Sequence, residues 1–115
     1  MEKITTDTIL NTMQSYVESK VPIAPTTWLD AGIKLVTLMS DETDKLIELQ
    51  FKVAELKVLL FDGEDKTAAE IKVRIEATHE YTDMRRQDAK VKRINEFVML
   101  AKKYATIRSV EYGNS

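Results

Sequence analysis

The chain has 115 residues, room for one domain, with 43% hydrophobic residues, 31% charged residues and a formal net charge of −2. It has no cysteine, which excludes disulfide stapling, thiolate metal sites and cysteine nucleophiles. It has only three glycines and two prolines, and both prolines fall in the first 25 residues; so sparse a set of breakers argues against a sheet and for an all-α fold.

The first helix is expected over residues 7–19. Thr6 or Asp7 is placed to cap it, Ile4 to staple onto Leu10, and Ile9, Leu10, Met13 and Val17 share one face. Val21-Pro22-Ile23-Ala24-Pro25 then stops the helix, because each proline lacks an amide donor and restricts the residue before it.

A second, long helix is expected over 27–61, started by a capping-box pair of Thr27 and Asp30. Leu35, Met39, Glu42, Leu46, Leu49, Val53, Leu56 and Leu60 alternate at four and three residues, the seam pattern of a supercoiled helix, with Glu42 its one polar member. Glu42 either sets the register or marks a place where the seam opens to water. Asp41 to Asp44 mark either a hydrated stretch of helix or a bend. A second stripe, Ile47, Phe51, Ala54, Val58 and Phe61, is more than a two-stranded seam needs, so at least three helices, or two hairpins, are expected to meet there.

Asp62-Gly63-Glu64-Asp65-Lys66 is the one short breaker in the helical part, with Gly63 suited to a left-handed closing position. Thr67 with Glu70 forms the next capping box, and a third helix is expected over 67–110. Val91, Ile94, Val98, Ala101 and Ala105 hold its seam, and the small residues at 101 and 105 permit close approach of a neighbour. The tail Gly113-Asn114-Ser115 is expected to fray. The expected architecture is thus a single all-α domain over 1–115: a long antiparallel helical hairpin with a short N-terminal helix and coiled-coil-like packing.

Nothing in the chain has the form of a catalytic apparatus. His79 is the only histidine, the glycines are isolated, and no serine stands in a nucleophile-elbow pattern. Glu76, Glu80 and Asp83 beside His79 read as a solvated helix face before they read as a cation site. No enzyme activity, metal or cofactor is expected. Trp28 reads as a core anchor at a helix end, with an exposed anchor for a partner protein as the alternative. The start, Met1-Glu2-Lys3-Ile4-Thr5, lacks a secretory-signal pattern, and the longest apolar run, Val58 to Phe61, is far short of the ~20 residues that span a bilayer. A cytoplasmic protein without membrane contact is the expectation.

Charge is divided unevenly. Residues 85–108 hold eight basic residues (Arg85, Arg86, Lys90, Lys92, Arg93, Lys102, Lys103 and Arg108) against Asp88 and Glu96, a local +6 that leaves −8 for the rest. Such a helix suits nucleic-acid phosphates, with Tyr81 and Tyr104 available to stack on unpaired bases. Alternatively the same residues pair with acidic positions such as Glu48, Glu55 and Asp41 to Asp44.

Ile75-Glu76-Ala77-Thr78-His79-Glu80-Tyr81, then Lys102-Lys103-Tyr104-Ala105-Thr106-Ile107-Arg108 and Glu111-Tyr112-Gly113, together with the preceding hairpin, resemble the UvsY-type recombination mediators of tailed phages. The likeness covers roughly residues 35–113, and the turn at Asp62–Lys66 is shorter than that family's connection. The resemblance implies a small helical phage protein that forms homo-oligomers in the host cytoplasm, binds single-stranded DNA and assists a recombinase, with the eight basic residues as candidates for strand contact. The rival expectation is a helical protein-binding adaptor or inhibitor from a mobile element. A structural dimer of hairpins without a ligand is the third.

Overall fold

The computed structural model describes residues 5–63 and 67–113, with side chains described as far as Asp62 in the first span and Thr106 in the second. It is all-α, with the order α1 (Thr6–Glu18), α2 (Pro25–Gly63), α3 (Ala68–Glu76) and α4 (His79–Gly113), and no strand among the described residues. Helices α2 and α4 pack against each other as the expected helical hairpin. Ile4, the reversal at Glu64 to Lys66 and the end of the tail lie outside the described residues; α2 takes in Gly63 as its last residue.

The helix starts show how local chemistry sets boundaries. Thr5, rather than Thr6 or Asp7, caps α1: its hydroxyl accepts from the Thr8 amide at 3.2 Å, while Thr6 is drawn into the buried face. Helix α2 starts at Pro25 instead of Thr27, because a proline at the first helical position gives up only an amide that would have no partner there. The Thr27 and Trp28 amides reach back to the Ala24 carbonyl at 3.0 and 3.2 Å. Asp30 is therefore already inside the helix, where it pairs with Lys34 at 3.0 Å rather than closing a capping box. Thr67 caps α3 as expected, accepting from the Glu70 amide at 3.2 Å.

The third helix expected over 67–110 is in fact two. After Glu76 the chain leaves the helix at Ala77 and Thr78, and Thr78 holds the break on both sides. Its hydroxyl donates to the Ile75 carbonyl at 2.6 Å and accepts from the Tyr81 amide at 3.2 Å, capping α4. Conversely, α2 does not break at Asp41 to Asp44 but is helical from Pro25 to Gly63.

Contacts divide the chain into two compact units, residues 1–40 with 92–115, and residues 41–91. The first unit holds the larger apolar core. Ile9, Leu10 and Met13 of α1 meet Trp28, Ala31 and Leu35 of α2 and Ile94, Phe97 and Ala101 of α4. Val17, expected on the buried face of α1, is 46% exposed. Trp28 is the core anchor: 2% exposed, edge-on to Tyr16 at 5.4 Å and stacked on Tyr104 at 4.8 Å. Ala101 meets the close approach expected there, from Gly32 of α2, where a Cβ would stand 3.0 Å from the Ala101 Cβ. In the second unit Leu46, Ile71 and Ile75 are buried, and so is Glu42, at 4% exposure.

Candidate nucleic-acid interface

The basic residues of α4 separate by environment. In the unit of residues 41–91, Arg85 and Arg86 are exposed, and among the described residues neither forms an ion pair. They line a shallow concavity of about 480 Å³ together with Glu76, Tyr81, Thr82 and Ala89. The break at Ala77 and Thr78 is what builds it. Capping by Thr78 places Tyr81 in the first turn of α4, one turn ahead of Arg85 on the same face.

Tyr81 is half-buried and also borders a second concavity, where Lys57 of α2 and Lys72 of α3 add two more cations and Phe61 an apolar wall. Glu76 lies on both rims as the one carboxylate. The arrangement can hold a planar aromatic group near cations. His79 is exposed, its Nε2 3.4 Å from a Glu80 carboxylate oxygen. Among the described residues there is no group of three or more metal-ligating side chains.

Lys90 belongs elsewhere. Its Nζ lies 3.2 Å from Glu42 Oε2, while Lys45 Nζ lies 3.2 Å from Oε1 of the same carboxylate. Gln87 completes the node, its Nε2 donating to Glu42 Oε2 at 3.0 Å and to the Glu42 carbonyl at 2.8 Å. Burial pushes the Glu42 carboxyl up, but hydrogen bonds from Gln87, Lys90 and Lys45, with the nearby Lys90 charge, outweigh it and hold the group below its ordinary value of 4.5. Glu42 is therefore a satisfied buried charge tying α2 to α4. Of the two readings of this residue, the seam does not open to water at Glu42. Gln87 had no signal of its own; only the polar interruption at Glu42 pointed to a partner.

In the unit of residues 1–40 and 92–115, Lys92, Arg93, Lys102 and Lys103 are exposed. The Arg93 guanidinium lies over the Phe97 ring, 5.5 Å from its centroid. Lys102 edges an apolar groove lined by Leu29, Gly32, Ile33, Val36 and Val98. Tyr104, a candidate for stacking on bases, already has one ring face stacked on Trp28. The Arg108 side chain lies outside the described residues, although its backbone is part of α4. The expected site residues thus comprise one cluster with an aromatic beside it, a set of exposed cations in the other unit, and two members committed to internal contacts.

Among the described residues no helix is long and apolar enough to cross a membrane. No family model, curated protein or solved structure matches the chain.

Proposed function

We propose that this chain is a non-enzymatic helical accessory protein that binds single-stranded nucleic acid, acting as the UvsY-type mediators it resembles do. The observation that carries the reading is the concavity where exposed Arg85 and Arg86 stand beside the ring of Tyr81. Two guanidinium groups supply phosphate contacts, and an aromatic face one turn away supplies a surface on which an unpaired base can stack. Lys90 and Tyr104 are left out of this site because Glu42 and Trp28 occupy them. Arg93, Lys102 and Lys103 contribute further exposed cations in the other unit.

Fluorescence anisotropy with a labelled single-stranded oligonucleotide tests this at several salt concentrations. Each phosphate contact should steepen the salt dependence by roughly 0.7 in the log–log slope. Changing both Arg85 and Arg86 to Glu should abolish binding, and Tyr81→Ala should weaken it by about 1–3 kcal/mol where Tyr81→Phe does not. Failure to bind at low salt, or affinity indifferent to salt, rejects the reading.

A second reading, an adaptor that captures another protein's helix, is favoured by the apolar groove around Gly32. There Leu29, Ile33 and Val36 are 50%, 56% and 52% exposed. An Ile33→Asp variant that keeps full nucleic-acid affinity but loses a biological phenotype would support the adaptor.

A further inference from the structure

The second apolar stripe of α2 is uncovered. Ile47, Phe51, Val58 and Phe61 are 43%, 66%, 59% and 50% exposed, and Ala54 between them is exposed as well. At 3.6 residues per turn this stripe lies roughly 140° round the helix from the seam of Leu46, Leu49, Val53, Leu56 and Leu60. The seam is the face that the chain's own helices cover, so α2 presents two apolar faces and the fold uses one.

The open face is at the upper end of what a protein that stays single exposes. Aromatic side chains carry roughly 150–250 Å² each, so Phe51 and Phe61 together leave on the order of 200 Å² uncovered. With Ile47, Val58 and neighbouring Leu59, itself 68% exposed, the patch reaches roughly 500 Å². That is about the apolar share of one side of a standard interface.

Spacing and flanking charge select the occupant. The intervals of four, three, four and three residues are those of a supercoiled helix pair, with Phe51 and Val58 at the a positions and Ile47, Ala54 and Phe61 at d. One flank then reads Glu48, Glu55, Asp62 and the other Gln50, Lys57. If two copies met antiparallel, the acidic flank of each would face itself. If they meet parallel, Lys57 of each lies against Asp62 of its partner and Gln50 against Glu55, so every flanking contact is attractive or neutral.

We infer that α2 forms a two-fold, parallel coiled-coil contact with a second copy of this chain through Ile47 to Phe61. This contact does not use Arg85, Arg86 or Tyr81, although Lys57 and Phe61 also line the concavity that Tyr81 borders. The pairing leaves the hairpin intact and brings the partner's α2 onto the open face of α2 from outside.

Sedimentation equilibrium of the full chain tests the proposal. The expected result is a mass of two chains in the micromolar range, halved by Phe51→Glu and, separately, by Val58→Glu with the helical circular dichroism unchanged. Val73→Glu, at a position 67% exposed on α3, should leave the mass at two chains. Because the chain has no cysteine, Phe51→Cys and Val58→Cys each give a clean probe. In a parallel pair each variant cross-links to its own copy on oxidation. A single-chain mass at all concentrations, a mass above two chains, or equal sensitivity to Val73→Glu would overturn the proposal. A mass of two chains in which neither variant cross-links to its own copy would overturn the parallel arrangement.

Discussion

Replacing Glu42 by glutamine keeps the outline of the side chain and removes its charge, which isolates the electrostatic part of the node. In the native chain the carboxylate is 4% exposed and has Lys90 and Lys45 each at 3.2 Å and Gln87 at 3.0 Å. Hydrogen bonds to a charged group contribute roughly 1.5–3 kcal/mol each, but Lys45 is mostly exposed and its share is heavily screened. Lys90, at 27% exposure, can turn to solvent when its partner is lost. Glu42→Gln should therefore destabilise by about 1–2 kcal/mol, and Glu42→Ala, which also opens a void in the seam, by about 2–4 kcal/mol. Replacing Glu42, Gln87 and Lys90 together by apolar residues of similar volume should be close to neutral, because no charge is then left buried without a partner. A pH series supplies the signature. The folded Glu42 carboxyl sits below its ordinary value of 4.5, so its contribution is fully present above that value and disappears as the pH falls through the lower folded value. Urea unfolding followed by circular dichroism should show native stability declining below pH 4.5 more steeply than that of Glu42→Gln, with the two curves converging in acid. If the two proteins unfold alike at neutral pH, or decline in parallel in acid, the node does not hold the helices as argued.

Two further substitutions test the packing of the other unit. Gly32→Ala would place a Cβ 3.0 Å from the Ala101 Cβ, a contact that only movement of the helix backbones can relieve. The strain should outweigh the ~1 kcal/mol gain in helix propensity, giving a net loss on thermal unfolding that Ala101→Gly in the same chain recovers. Trp28→Ala removes a side chain 2% exposed that touches Tyr16 and Tyr104, and should cost about 3–5 kcal/mol by urea unfolding.

The helices themselves were legible because their signals are local. Threonine at 67 caps, two prolines interrupt, and apolar residues recur at helical spacing; each acts within a few neighbours along the chain. The misplaced boundaries have local causes too. Pro25 is tolerated inside the first turn of α2, and Thr78 breaks a helical run only because its hydroxyl serves the helix on either side.

The amino-acid sequence by itself determined an all-α hairpin, its apolar seams and the concentration of positive charge on the last helix, since periodicity and composition are properties of neighbouring residues. Only the tertiary structure decided which of the two stripes of α2 is buried, that Lys90 serves Glu42, and that Tyr104 stacks on Trp28 while Arg85, Arg86 and Tyr81 remain together at the surface. Those outcomes depend on side chains distant in the chain: the Gln87 bond to Glu42 alone spans 45 residues. Which distant partner a side chain meets is set by the register of one helix on another, and that register emerges only when the buried faces have been packed.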